Sequence, residues 1–318
     1  MKILFVDHAC HQKTKSADFF LDGLRTRHEV RCHYYDHIYR CKVSKDLIEW
    51  ADVIVYWEFL PSRFACGVPG KRCVFVPMYD NEWGSKWQWR RLAMLGMNVI
   101  SFCRAVGDHA RHCGVKNVLD VQYAFDPSKY EGMSGNPRIA LYWDRGAFDV
   151  EKVKGMFAPG TLDKLIVYDK FVPRDEYLKM IREVGVYVAP RFKEGIGMSF
   201  LEPLAMGKCI IAHDGPTMNE YIQGGTDGIL VDMRHPRQIS AAEISAAREG
   251  VWTAANELHA GWRKDERKIL DFFDGLASAE PLRSPWMIKS CAAYLLYWLE
   301  GALMKAGCLP GVSRFLSD

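Results

Sequence analysis

Short apolar runs recur along the first 125 residues and alternate with segments of helical periodicity. A continuous apolar run of about four to eight residues indicates a buried strand, and strands that alternate with helices indicate parallel β-α-β units. Between the strands, helices are predicted at 16–25 and 106–113. This pattern predicts a complete doubly wound domain. Its strands are predicted at 3–6, 30–35, 53–56, 73–78, 99–102 and 118–123.

The pattern begins again after residues 131–137, a polar segment with the glycine, serine and proline content of a linker. Helices are predicted at 174–184, with Gly185 as the C-cap, and at 200–206, followed by Gly207. Strands are predicted at 139–142, 165–168, 186–189, 209–212 and 228–231. We therefore predict an α/β protein with two doubly wound domains, 1–128 and 136–280, facing a cleft at the carboxyl ends of their strands.

The C-terminal part has helical character, with helices predicted at 239–248 and 252–273 and a further helical segment at 281–318. Residues 286–304 approach the length of a membrane span, but Lys289 and Glu300 interrupt them, which favours a core or interface helix. The N-terminal apolar run is too short for a signal peptide, so we expect a cytoplasmic protein.

The composition restricts the class of protein but does not indicate a function. Hydrophobic residues make up 49% and charged residues 25% of the 318 residues, which is typical of a globular enzyme of two domains. The ten cysteines include no C-x2-C pair, so we expect reduced thiols and no zinc site. The net charge is +3, and we predict no nucleic-acid partner.

Residues 186–232 contain the clearest candidate for a ligand-binding site. A predicted strand is followed by a loop that contains Gly195 and Gly197, where backbone N–H groups can approach an anion or a ring of hydroxyls. The helix after the loop directs its positive end to the same place, which suits a diphosphate. Glu194 and Glu202 bracket the loop, and a carboxylate can accept hydrogen bonds from adjacent hydroxyls of a sugar or a ribose. The segment therefore predicts a nucleotide-sugar site.

The spacing of Glu194 and Glu202 resembles the Glu-x7-Glu signature of retaining glycosyltransferases with the GT-B fold, in particular family four. The segments A-M-G-K-C-I-I-A, G-P-x-x-N-E and G-x-D-G-I-L-V-D that follow resemble the same family over about 50 residues. The resemblance implies two Rossmann-like domains with C-terminal helices. It implies a retaining, metal-independent hexosyltransferase with a UDP- or GDP-sugar donor, a glycan or lipid-linked acceptor and no cofactor.

The resemblance also implies roles for individual residues. Glu194 would contact the hydroxyls of the donor sugar as the catalytic-site glutamate, and Glu202 would bind the ribose. The loop amides against the sugar and diphosphate would be those of Gly195, Ile196, Gly197 and Met198. The candidates for phosphate binding are Arg145, Lys154 and Arg191.

Two of these assignments have structural alternatives. Ser199-x-x-Glu202 is also the pattern of a capping box, in which Glu202 only closes the start of a helix. Arg145 fits an ordinary surface arginine equally well, since its spacing to Lys154 differs from the family arrangement.

The first domain departs from the family where the acceptor would bind. The loop after its first strand reads Asp7-His8-Ala9-Cys10-His11 and lacks glycine, so His8 and His11 are acceptor-side candidates or solvated loop histidines. Asp80, after the fourth strand, is a candidate base for an acceptor hydroxyl or a cap of the next helix.

A helix is predicted to begin near Glu82 and to carry an aromatic stripe with flanking cations. The stripe fits a peripheral membrane contact or, alternatively, a core face with cations that reach solvent. It consists of Trp83, Trp87 and Met94, and its cations are Lys86, Arg90 and Arg91.

Other functions fit the residues less well. A nicotinamide-dependent oxidoreductase needs a small residue where Phe200 stands and a glycine after the first strand. A non-catalytic nucleotide-sugar-binding module on the same fold stays open as the alternative. The sequence contains no D-x-D motif, which agrees with a metal-independent reaction.

Overall fold

The computed structural model describes residues 1–36, 41–60, 68, 70–81, 86–170 and 172–278, with the side chain of Trp87 excepted. The described residues divide into two compact units. Unit 1 comprises 1–101, 106–120 and 266–278, and unit 2 comprises 102–105 and 121–265. Unit 1 thus takes in 266–278, which the sequence-based division assigns to the second domain.

Among the described residues, unit 1 forms a six-stranded parallel sheet in the order β2-β1-β3-β4-β5-β6. All six predicted strands of this half are confirmed. The strands are β1 (Lys2–His8), β2 (Glu29–Tyr35), β3 (Val53–Glu58), β4 (Arg72–Pro77), β5 (Asn98–Ser101) and β6 (Val118–Asp120). The helices of this part of the chain are α1 (Ala9–Thr14), α2 (Asp18–Arg25), α3 (Lys45–Trp50), α4 (Lys86–Met94) and α5 (Arg104–His112).

The core of unit 1 is aromatic on one side of its sheet. The ring of Phe20, on α2, lies 5.1 Å from the ring of Trp57 and 6.4 Å from that of Phe273. All three side chains are fully or almost fully buried. The chain enters this sheet at β1, adds β2 on one side and then crosses to β3 on the other. The order of strands therefore reverses between β1 and β3, which is where ligands of such sheets bind.

The described part of unit 2 forms a five-stranded parallel sheet in the order β11-β10-β9-β7-β8, and the five predicted strands are confirmed. The strands are β7 (Asn136–Trp143), β8 (Lys164–Tyr168), β9 (Val184–Val188), β10 (Cys209–His213) and β11 (Gly228–Val231). The helices of this part of the chain are α6 (Val150–Gly155), α7 (Arg174–Glu183), α8 (Met198–Ala205), α9 (Met218–Tyr221) and α10 (Ala241–Ser278), with a 3-10 turn at Pro127–Tyr130. Residues 266–278 of α10 belong to unit 1. Fully buried Val186, Val188 and Ile211 lie in its core.

Two details of the predicted helices are wrong. Gly185 is not a helix C-cap, because it lies inside β9, where an added Cβ would come within 2.5 Å of the Asn136 carbonyl carbon. The helices predicted at 239–248 and 252–273 form one continuous helix, α10, in which Gly250 approaches the Thr226 carbonyl so closely that a Cβ would overlap it. Gly207, by contrast, follows α8 in the left-handed conformation, with φ of 76°, as predicted.

The aromatic stripe is only partly described. Residues Glu82 and Trp83 and the whole of 281–318 lie outside the described residues, and α4 begins at Lys86. Arg91 is 3% exposed, so it does not belong to the surface face predicted for it, whereas Arg90 is exposed. Within the described ranges, no helix has the length and apolar character to cross a membrane.

Lys208 is a fully buried lysine that links the segment before β7 to the start of β9. Its Nζ donates to the carbonyl oxygens of Val184, at 2.7 Å, and of Met133. Arg248 donates to the carbonyls of Ser134 and Gly135 beside them. Burial, with the nearby arginine charge, lowers the pKa of Lys208 to about 7.

The titration of Lys208 predicts a pH dependence of stability. The unfolded lysine keeps its proton up to a pKa of about 10.4, so between pH 7 and that value the unfolded state binds more protons and stability rises with pH. From pH 7 to 9, we expect the free energy of unfolding of the native protein to rise by about 2 kcal/mol relative to Lys208→Met. Urea unfolding of both proteins at several pH values tests this, and parallel curves would contradict it.

Candidate functional site

The loop between β9 and α8 lies at the carboxyl edge of the unit 2 sheet. Gly197 is the N-cap of α8 and has a φ of 88°, in the region that favours glycine. A Cβ on this residue would come 2.6 Å from the Cζ of Phe200, a fully buried ring. As a glycine, this N-cap residue has no side chain that could cap the helix. Glycine is therefore required here for both the turn and the packing.

Glu194 is a nearly buried carboxylate, 5% exposed, in this loop. The Ser199 hydroxyl donates to its Oε1 at 2.6 Å, and the Arg191 guanidinium lies 3.9 Å from its Oε2. Thr217 donates to its backbone carbonyl. Burial raises the pKa of Glu194, while the Arg191 charge and the Ser199 hydrogen bond act against this rise.

The capping-box alternative is wrong. Ser199 is the second residue of α8 rather than its N-cap, and its hydroxyl donates to Glu194 instead of accepting from the helix backbone. Glu202 in turn faces two other side chains. Its Oε2 accepts from Nη1 of Arg174 at 2.7 Å, and its Oε1 accepts from Nη2 of Arg174 and, at 2.9 Å, from the Tyr130 hydroxyl.

Arg174 and Tyr130 are functional candidates that sequence reasoning missed. They lie 28 and 72 positions from Glu202, and no local pattern links them to it. The hydrogen bonds and charge of Glu202 raise the pKa of Arg174 above its usual range. Arg174 also lies over the ring of Tyr177, with 5.6 Å between its Cζ and the ring centroid.

The phosphate-binding candidates occupy different surroundings. Arg145 follows β7 and is exposed, and its guanidinium lies 4.7 Å from the ring centroid of Trp143. That ring stacks on Tyr168 at the ends of the adjacent strands β7 and β8, with centroids 5.8 Å apart. Lys154 lies in an exposed ion pair with Glu151 on α6, at 2.6 Å. Of the two, only Arg145 is placed directly at a strand end.

In unit 1, His11 and His8 lie at the carboxyl end of β1. His11 bridges two carboxylates, with Nδ1 2.6 Å from Asp7 Oδ1 and Nε2 2.6 Å from Glu58 Oε2. Although burial alone would lower it, the hydrogen bonds and charges of these carboxylates raise the pKa of His11 to about 10, which favours the protonated imidazole at neutral pH. His8 caps α1 by accepting from the Cys10 N–H.

Asp80 lies in the turn after β4 and is half-buried. The next described helix, α4, begins at Lys86. The described residues contain no group of three or more His, Cys, Asp or Glu side chains placed to hold a metal ion.

Comparisons with known proteins agree with this architecture. Residues 160–265 match the family model described as Glycosyl transferases group 1. In fold, the chain is similar to Anabaena HepE in complex with UDP and glucose, at 13% identity over 86% of this chain and 100% of that chain, with a TM-score of 0.54. It is similar to a glycosyltransferase from Rickettsia africae at 11% identity over 88% and 99%, with a TM-score of 0.60.

A third similar structure is the sucrose-phosphate synthase of Thermosynechococcus elongatus, at 10% identity over 88% of this chain and 100% of that chain, with a TM-score of 0.61. No curated protein matches the sequence significantly. Identities this low show the fold alone. The chain thus has the GT-B fold with two Rossmann-like α/β domains, and its residues 160–265 match the group 1 glycosyltransferases.

Proposed function

We propose that the protein is a retaining glycosyltransferase that moves a hexosyl group from a UDP- or GDP-sugar to a glycan or lipid-linked acceptor. The observation that carries the proposal is the pair of glutamates around the Gly197 turn, in the stretch that matches the group 1 model. Glu194 and Glu202 are both largely buried and both ordered by hydrogen bonds. In support, the similar Anabaena protein was crystallised with UDP and glucose.

The chemical task of such a site is to stabilise the leaving nucleoside diphosphate while an oxocarbenium-like centre develops at the sugar. In our proposal the N-terminus of α8, whose N-cap is the glycine Gly197, faces the diphosphate, and Arg145 and Arg191 add positive charge. Glu194 accepts hydrogen bonds from sugar hydroxyls and Glu202 from the ribose. These groups would stabilise the leaving diphosphate without a metal ion. Asp80 is the proposed base on the acceptor side.

The alternative function is a non-catalytic nucleotide-sugar-binding module on the same fold. Both functions predict donor binding, so turnover separates them. An enzyme transfers the sugar or slowly hydrolyses the donor, and Glu194→Ala abolishes that activity. A binding module shows neither reaction with any acceptor.

Calorimetry with a panel of UDP-, GDP- and ADP-sugars tests the proposal. We expect one of them to bind and Glu194→Gln to weaken it about tenfold, because a hydrogen bond to a charged group contributes about 1.5–3 kcal/mol. Glu249→Gln, which changes an exposed glutamate of α10, is the control and should leave the affinity unchanged. Failure of every activated sugar to bind would refute the proposed function.

A further inference from the structure

The hydrogen bonds between described residues leave one acceptor position on Glu202 unused. A carboxylate offers about four lone-pair positions. Two on Oε1 are used by Arg174 and the Tyr130 hydroxyl, and one on Oε2 is used by Arg174. A ligand hydroxyl can therefore donate to Oε2, but a second, adjacent hydroxyl finds no further acceptor on Glu202.

Arg174 offers hydrogen-bond donors to the oxygen of the second hydroxyl. Its guanidinium carries five N–H donors, and its described bonds to Glu202 use two of them. The Arg174 side chain is 53% exposed while that of Glu202 is 12% exposed, so the outer edge of the guanidinium faces solvent beside the carboxylate. An acceptor on Glu202 and a donor on Arg174 thus stand side by side.

The position of Arg174 is fixed from two directions. It is the first residue of α7, directly after Pro173, which restricts the chain entering the helix. Its guanidinium is held by both oxygens of Glu202 and lies over the Tyr177 ring. A forked pair of this kind sets the orientation of both groups, which a lysine could not do.

From this geometry we infer that Arg174 is a second ribose-binding residue beside Glu202, so that the two side chains hold the vicinal diol together. The 3′-hydroxyl donates to Glu202 Oε2, and the oxygen of the 2′-hydroxyl accepts an N–H of Arg174. Arg174 is then a donor-binding residue that makes the site selective for ribonucleotides over deoxyribonucleotides. This inference rests on the proposed function, since it takes the ribose from the nucleotide of the donor.

Calorimetry with UDP, GDP and ADP and with their 2′-deoxy counterparts tests the inference. For the nucleotide that binds, the wild type should prefer the ribose form about tenfold, the usual effect of one charge-assisted hydrogen bond. Arg174→Gln should weaken the ribonucleotide about tenfold and leave the deoxynucleotide nearly unchanged, so that the ratio of the two affinities approaches one. Arg174→Lys, which keeps the charge without the fork, should give an intermediate ratio.

Arg138→Gln is the matched control. Arg138 is an exposed arginine of the same unit that donates from Nε and Nη2 to Asp163, and it lies at the start of β7 rather than at the carboxyl edge. It should change neither affinity. Because each variant is compared on two nucleotides, a general loss of stability lowers both affinities and leaves their ratio unchanged.

The outcomes separate the two proposals. If Arg174→Gln keeps the wild-type ratio, or binds the ribonucleotide more tightly because the ion pair had blocked the site, the inference is overturned and the proposed function stands. If the wild type binds none of the three diphosphates, the proposed function fails and the inference fails with it.

Discussion

Replacing His11 by alanine should destabilise unit 1 by about 3 kcal/mol, because it removes the cation between two carboxylates. Asp7 is fully buried, and His11 lies 2.6 Å from both Asp7 and Glu58. Without the imidazolium, Asp7 keeps only the His8 N–H as a described hydrogen-bond donor. Hydrogen exchange of the β1 and β3 amides measures the loss within this unit, since a chain of two units need not unfold in one step.

His235→Ala is the control for this result. His235 also pairs with a carboxylate, Asp232 at 3.1 Å, but its side chain is 84% exposed. Exposed ion pairs contribute little, so the variant should lose at most about 0.5 kcal/mol. Equal losses for the two variants would show that the Asp7, His11 and Glu58 cluster does not stabilise unit 1.

The effect of His11 has a defined pH dependence. Its pKa rises from 6.5 to about 10 on folding, so the native state binds more protons between these values. The stabilisation is fully present below pH 6.5 and is lost as the pH rises through 10. The difference between the native protein and His11→Ala should therefore shrink steadily from pH 7 to pH 10, and a difference that grows would contradict the assignment.

The strands could be predicted from the sequence because a strand buried on both faces is a continuous apolar run, as in residues 53–57 and 209–212. The Glu-x7-Glu spacing could be found because both glutamates belong to one local loop and helix. The partners of Glu202 could not, since Arg174 and Tyr130 reach it only through the folding of separate segments. In the same way His11, on α1 directly after β1, reaches Glu58 at the end of the neighbouring strand β3.

Local sequence patterns also gave wrong predictions where tertiary packing determines the bounds of a helix. The Ser199-x-x-Glu202 pattern matches a capping box, but the left-handed Gly197 starts the helix two residues earlier and turns Ser199 toward Glu194. The periodicity predicted two helices, 239–248 and 252–273, where the structure has one, and Gly250 in that helix is required by the close approach to Thr226. In both cases the position of the glycine depends on a tertiary contact, which the periodicity of the sequence does not show.

Gly197→Ala should cost about 3 kcal/mol and weaken nucleotide-sugar binding at least tenfold. A left-handed φ costs a residue with a Cβ about 1 kcal/mol, and forcing a methyl into a packed core costs about 1–3 kcal/mol more. Here the methyl overlaps the ring of Phe200, which is fully buried. Relief of the overlap must move the turn that connects Glu194 to α8, so affinity falls together with stability.

Gly160→Ala is the control that separates the free-energy cost of the left-handed backbone from the cost of the overlap with Phe200. Gly160 has a φ of 77°, close to the 88° of Gly197, but an added Cβ there has no atom within 4 Å. This variant should lose about 1 kcal/mol and keep its affinity for the nucleotide sugar. Thermal unfolding and calorimetry on both variants give the comparison. If Gly197→Ala behaved like Gly160→Ala in both measurements, contact with Phe200 would not be what holds the loop, and the shape of the proposed donor site would have to be set by other residues.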